Sequence, residues 1–366
     1  MVVAGIMTGT SVDAIDIAVC EVTNEGGRHS VSLCSFISQP FTEETLEAIK
    51  QALASTASME TLSDVPFLLA RDYATAVRAV PQDKPIELVA IHGQTLWHNP
   101  PVSTWQAGCG SALSALVALP VVNDFRSADI ILGGQGAPLV PIFDHAMLSS
   151  TSLDRVALNI GGMANVTILP RSASLENISA FDTGPGNVWI DTAIRSTFGK
   201  RYDTDGHVAR AGRIIEPMLA ECMTIPYFQN EPPKSTGREL FSDKEARRLI
   251  TKYSHPSGPL EDVVTTMTEL TAWSIADHIA RYAPATNEII TSGGGSQNVF
   301  LLERLRFHLH KSGLKADLQV HTQWDAKEAM AFAYLGWLTC NGLPGNVPTV
   351  TGATRAVPLG SISKAF

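Results

Sequence analysis

The chain of 366 residues is 45% apolar and 17% charged, long enough for two domains with full hydrophobic cores and too apolar to be disordered. Its formal net charge of −9 argues against a nucleic-acid partner, which needs a basic face, but not against a nucleotide held by backbone amides. Residues 2–8 form an apolar, strand-like run that leads into Gly9-Thr10-Ser11-Val12-Asp13. From Ile15 to Cys20 the apolar positions alternate, so a second strand returns from that turn as a hairpin. Residues 31–37 supply a third strand. Thr42 caps a helix with Glu43 and Glu44 in its first turn and Leu46, Ile49 and Leu53 at helical spacing. Helix continues to about residue 79, and a buried strand over 86–91, a helix over 111–119 and a short strand over 120–122 follow.

The same order then recurs. A strand over 156–160 enters the turn Gly161-Gly162-Met163-Ala164-Asn165, a second strand returns over 166–169, and a third covers 178–181. A helix over 187–198, a long amphipathic one over 264–282, a strand over 288–291, a helix over 299–310, a strand over 318–320 and a closing helix over 326–338 complete it. The two hairpin turns lie roughly 150 residues apart, about one domain length. We therefore expect a first domain over 1–127, to which the tail from about 345 to 366 returns, and a second over 128–344. The polar, Pro-bearing stretch at about 199–263 reads as an insertion of loops and short helices in the second. Five scattered cysteines without a CxxC pair read as reduced thiols in core positions, not a disulfide frame or zinc site. No basic segment precedes the apolar N-terminus, and the uncharged stretch 99–123 is too polar and broken to span a bilayer. A cytoplasmic protein without a membrane partner is expected.

Glycines at strand ends let backbone N–H groups converge on phosphate oxygens, although single turns of this kind also serve simply as tight hairpins. Neither GxxxxGK[ST] nor GxGxxG occurs, since Gly199-Lys200 is followed by Arg201, which disfavours P-loop and Rossmann folds. The stretch Phe181-Asp182-Thr183-Gly184-Pro185-Gly186-Asn187 sets a carboxylate at the mouth of a strand beside two glycines. Transfer of a phosphoryl group from ATP to a hydroxyl needs positioning, charge neutralisation and a base, and Asp182 is the natural base. Asp13 or Asp16 is suited to organise Mg²⁺ through its waters. Gly293-Gly294-Gly295, opening a helix, is suited to a purine and ribose. His92 and Trp97, directly after a strand, and Asp124 and Arg126, after another, offer hydrogen bonds, an aromatic face and a cation to a polar substrate.

Taken together, GIMTGTSVDAIDIAVCE (5–21), IHGQTLWH (91–98), NDFRSADIILGGQGAPLVPIFD (123–144), LNIGGMANVT (158–167), FDTGPGN (181–187), TSGGGSQNVFLLERL (291–305) and KEAMAFAYLGW (327–337) resemble the anhydro-N-acetylmuramic acid kinases nearly end to end. The resemblance implies an α/β fold of two ribonuclease H-like, actin-like ATPase lobes with an active-site cleft between them. It implies an enzyme that uses ATP and water to turn 1,6-anhydro-N-acetylmuramic acid into N-acetylmuramic acid 6-phosphate, in the recycling of cell-wall sugars. Asp182 matches the catalytic acid, acting as base on a water that attacks the anomeric carbon, and Glu328, at the start of the closing helix, is expected near the cleft as an assistant. Gly9, Thr10, Ser11, Val12, Asp13, Ala14, Ile15 and Asp16 match the ATP-binding stretch. Gly161, Gly162 and Asn165 of the second turn, with Gly293, Gly294 and Gly295, look like the other nucleotide contacts. Arg126 is then offered to the lactyl carboxylate, with His92, Trp97 and Asp124 around the sugar, and a homodimer is implied. The alternatives are a kinase for another anhydrosugar such as levoglucosan, or a non-catalytic actin-like nucleotide binder.

Overall fold

Both sheets of the molecule grow from the apolar runs read above, and each is backed by helices. The computed structural model describes residues 1–9, 12–54, 56–81, 83–254 and 258–365. In chain order the strands are β1 (Val2–Thr8), β2 (Ile15–Glu25), β3 (Arg28–Gln39), β4 (Leu88–Ile91), β5 (Gln94–Asn99), β6 (Ser103–Ala107) and β7 (Val121–Asn123). They continue as β8 (Arg155–Ile160), β9 (Met163–Leu169), β10 (Ser179–Pro185), β11 (Glu288–Ser292), β12 (Asp317–Val320) and β13 (Ser361–Ser363). The first sheet runs β13-β7-β4-β1-β2-β3 and the second β10-β9-β8-β11-β12. In both, the opening strand lies at the centre, its hairpin partner is antiparallel to it, and the next two main strands are parallel to it. This is the repeated ribonuclease H-like order that the duplicated pattern predicts.

The chain divides into one unit of residues 1–147 with 326–366 and another of 148–325. The sequence boundaries at 127 and 344 are displaced, and the helix Lys327–Cys340 packs on the first sheet. Small residues allow that packing: a Cβ on Gly5 of β1 would stand 2.0 Å from the Ala329 carbonyl oxygen, and one on Gly336 2.5 Å from Ala90 Cβ. Burial of β1, β2 and β4 against the helices Glu43–Ala52 and Met59–Ala79 covers the other face. The expected returning tail is seen as β13, which pairs with β7.

In the second unit the sheet packs on the helices Glu261–Tyr282 and Val299–Lys311. The insertion packs into a separate apolar cluster, in which its Phe228, Phe241, Met218 and Leu249 meet Trp189 of the helix Val188–Phe198 and Met267 and Leu270 of the helix Glu261–Tyr282. The hairpin β5–β6 falls where the sequence suggested only a polar cluster, and the expected helix over 111–119 forms just after it as Gly110–Val117. Two cysteines, Cys20 and Cys222, are buried as expected, whereas Cys34 and Cys340 are exposed and Cys109 lies between. That corrects the expectation of five core thiols: Cys34 falls on the outward alternation of β3 and Cys340 on the last turn of its helix. Among the described residues no helix is long and apolar enough to cross a membrane.

Candidate active site

Asp182 stands on β10, an edge strand, where a bulge between Asp182 and Gly184 interrupts the pairing with β9. Pairing aligns Asp182 with Asn165 on β9, Asn165 with Asn159 on β8, and Asn159 with Ser292 on β11. Directly opposed residues share a sheet face, so four polar side chains form one row at the strand ends. The open edge of β10 is taken by the insertion. Asp182 N–H donates to the Lys234 carbonyl (3.2 Å), Thr236 N–H donates to Asp182 Oδ2 (2.9 Å), and Tyr227 O–H donates to the Asp182 carbonyl (2.8 Å). Oδ1 accepts nothing from the described residues. Burial of the carboxyl group pushes its pKa up to about 6, with Glu239 adding to the rise and the Thr236 amide and Lys234 opposing it.

Three glycine segments meet beside this row. The carbonyl oxygens of Gly161 and Gly162, in the β8–β9 turn, accept from the amides of Gly186, Asn187 and Val188 at the start of the helix Val188–Phe198. Those amides are therefore occupied, and Gly161 N–H itself donates to Met163 O at 3.2 Å. Close packing explains the other glycines: a Cβ on Gly186 would stand 2.3 Å from Gly161 O, and one on Gly295 2.3 Å from Ile160 Cγ2. Gly293 has φ 78°, the left-handed region where glycine is at home. By contrast, Cβ atoms on Gly162 and Gly294 would meet nothing within 4 Å, so these two borders are open to a ligand.

In the first unit three of the predicted substrate residues, His92, Asp124 and Arg126, follow the C-terminal ends of the parallel strands β4 and β7, where open α/β sheets bind ligands. Arg126 donates through one terminal nitrogen to Gly136 O (2.6 Å) and through the other to His92 Nε2 (2.7 Å). His92 is 5% exposed, and burial beside that guanidinium pushes its pKa down to about 3, so it remains neutral and accepts. Its Nδ1 and the Arg126 Nε are buried without hydrogen-bond partners. Burial also pushes Arg126 down to about 10, against the pull of Glu328 and Asp129. Asp129 is fully buried and holds the loop below: Oδ2 accepts from Gly136 N–H, and Oδ1 from Asn346 and Thr351 of the tail. Glu328, in the first turn of its helix, is raised by burial and by Asp16, with Lys327 and Arg126 opposing.

The remaining predicted residues fare unevenly. Asp124 has φ 62°, and its Oδ1 accepts from Ser127 Oγ (2.6 Å), so one of its oxygens serves a local turn. Trp97 is 57% exposed on the β5–β6 hairpin, opposite Trp105, with its Nε1–H donating to Ser103. Val12 has φ 56° and Asp13 is exposed, while Ile15 is fully buried and can offer a ligand only its backbone. Thr10 and Ser11 lie outside the described residues. Among the described residues no group of three or more His, Cys, Asp or Glu could cage a metal. Asp16 and Glu328 do sense each other's charge, a pairing that fits Mg²⁺ holding most of its own waters.

Sequence reading missed Tyr227, Lys234, Thr236 and His278 around Asp182, and Gln94, which is fully buried and donates to Gly9 O at 3.3 Å. The run Glu231-Pro232-Pro233-Lys234 was the available signal, since prolines hold a segment extended beside an edge strand.

The family model described as "Anhydro-N-acetylmuramic acid kinase" matches residues 1–365. A protein of that name from Bacillus cereus (strain AH820) is 37% identical over 380 residues, covering 99% of each chain. Another from Bacillus anthracis (strain CDC 684 / NRRL 3495) is 36% identical with the same coverage. A solved structure, the activator of the 2-hydroxyisocaproyl-CoA dehydratase from Clostridium difficile with bound ADPNP, aligns at TM-score 0.46 and 12% identity, covering 92% of this chain and 94% of that one. That likeness is too remote to carry an argument.

Proposed function

The chain belongs to the anhydro-N-acetylmuramic acid kinase family, and on that premise we propose how its residues divide the work of the reaction. It converts 1,6-anhydro-N-acetylmuramic acid, ATP and water into N-acetylmuramic acid 6-phosphate and ADP. Asp182 is the general base. With Oδ2 held by Thr236, Oδ1 takes a proton from water as the water oxygen bonds to C1 of the sugar. The C1–O6 bond breaks, and its electron pair stays on O6. O6 then bonds to the γ-phosphorus as the bond to the β,γ-bridging oxygen breaks, and ADP leaves. A bridged acetal oxygen has no proton to lose and accepts phosphate only after release, so hydrolysis and transfer belong to one event.

Arg126, held in place by His92 and Gly136, is the cation for the lactyl carboxylate, and Trp97 lends an aromatic face to the sugar. The glycine segments at 161–162 and 293–295, with the turn from Gly9 to Asp16, are the nucleotide contacts. Asp13 and Asp16 would hold Mg²⁺ through its waters, and the ion would neutralise phosphate charge. The cytoplasmic, homodimeric state implied by the resemblance belongs to this proposal too.

The observation that carries it is a carboxylate held by Thr236 through one oxygen, with no donor to the other among the described residues, and pushed by burial up to about 6. A base is most effective when its pKa lies near the working pH. Turnover in ¹⁸O-labelled water, quenched rapidly, should leave the label on C1 and none in the phosphate, and Asp182→Asn should lose turnover by about 10²–10⁴-fold. Label in the phosphate, or near-normal turnover in that variant, would remove Asp182 from the mechanism.

A further inference from the structure

The insertion and the helix Glu261–Tyr282 share a group of buried side chains that the reaction as written leaves unused. Lys234 Nζ donates to Tyr227 O (3.0 Å) and to His278 Nε2 (2.6 Å), and sits 4.6 Å above the Tyr227 ring. His278 is fully buried, and its Nδ1–H donates to Ser274 O (2.7 Å), which leaves Nε2 as the lone-pair acceptor that the ammonium needs. Burial pushes His278 down to about 4 and Lys234 down to about 8, so a neutral imidazole accepts from an ammonium between those two values. The same lysine's carbonyl accepts Asp182 N–H, and two residues on, Thr236 N–H holds Oδ2. An edge strand leaves such backbone groups without a ladder partner, and here the segment 234–236 supplies one.

We propose that Lys234 is a positioning residue for Asp182: its ammonium, locked between His278 and the Tyr227 carbonyl, pins the segment 234–236 to the open edge of β10. One carboxylate oxygen is thereby fixed and the other left for water. The inference rests on the reading of Asp182 as the base. The insertion, on this account, is part of the catalytic apparatus and not an ornament of the fold. The charged and titratable groups that face this pair are Glu239 on the segment itself, Tyr227 on the preceding turn, and Asp277, His278 and Arg281 on the long helix. Of these, Glu239 raises the Asp182 pKa and Lys234 lowers it, so removing the lysine charge has a defined sign.

The test is the pH profile of kcat/KM for Lys234→Met and Lys234→Arg beside the wild type. In the methionine variant kcat should fall by about 10- to 100-fold, the loss expected from a small misplacement of a reacting group. KM for ATP should stay within about twofold. The acid limb should also move upward, each pH unit of movement lowering the rate at pH 5 by about tenfold. Lys234→Arg, which keeps the charge, should restore the limb. If the methionine variant melts before assay temperature, Lys234→Gln carries the same expectations. An acid limb unmoved and kcat within twofold of wild type would overturn the proposal. Should Asp182→Asn remain active, it is the base assignment that fails; should that variant be dead while Lys234→Met is normal, only the positioning role falls.

Discussion

Replacing Asp182 with asparagine should stabilise the protein while abolishing its reaction, and the two effects have one cause. The side chain is partly covered, yet burial of its carboxyl group is the largest influence on a pKa that rises from 3.8 to about 6. At 1.36 kcal/mol per pH unit this is about 3 kcal/mol of native-state penalty on the ionised form. The sign follows from proton binding. Between the unfolded value and the folded one the native state holds more protons, so the contribution is favourable below 3.8 and declines as pH rises. It is fully lost above about 6. Asparagine keeps an oxygen for Thr236 N–H and never ionises. The variant should therefore exceed wild type by up to about 3 kcal/mol at pH 8 and by roughly half of that at pH 5. Urea unfolding at the two pH values, followed by tryptophan fluorescence, measures the difference, and a coupled ADP assay records the lost turnover. A variant no more stable than wild type at pH 8, or a difference that ignores pH, would refute the idea that the base is held under desolvation.

Two further substitutions probe the surroundings. In Gly186→Ala, the new Cβ would meet Gly161 O at 2.3 Å and Met163 C at 3.0 Å, both main-chain atoms that cannot rotate away. A loss of about 1–3 kcal/mol in urea unfolding is expected, with at least about tenfold weaker binding of a non-hydrolysable ATP analogue by calorimetry (~1.4 kcal/mol); unchanged nucleotide affinity would detach this turn from the nucleotide. Arg126→Lys keeps the charge but loses the fork that bridges His92 and Gly136. KM for the anhydrosugar should rise about tenfold, about 1.4 kcal/mol, with KM for ATP unaltered, and a matching loss for ATP would reassign Arg126 to the phosphates.

The repeated order of strands was legible because hydrophobic alternation and glycine turns are local signals, and each predicted strand from β1 to β4 and from β8 to β12 forms within a few residues of its expected place. Asp182, too, was visible as an acid closing an apolar run. Its tuning was not. Lys234, Thr236 and Tyr227 approach it from about fifty residues away, and no periodicity reports a segment added to a sheet edge. Domain limits failed for a related reason. The helix Lys327–Cys340 is apolar on nearly every side, so its sequence does not declare which sheet it covers; Gly5 and Ala90, the small residues that receive it, lie far back in the chain.

The duplication offers a physical reason why the proposed base stands in the second unit. In the first, the corresponding row reads Met7 on β1, Asp16 on β2 and Ser38 on β3, so the carboxylate occupies the middle strand. In the second it reads Asn159, Asn165 and Asp182, with the carboxylate on the edge. A middle strand has both its backbone edges filled by neighbours, and Asp16 there senses Glu328, which favours attraction of a cation. An edge strand keeps one side open to an added segment, which can desolvate its carboxylate and hold one oxygen still. The same two-fold pattern thus suits the two acids to the two roles proposed for them, cation gathering in one unit and proton acceptance in the other, and the difference lies in which strand carries the aspartate.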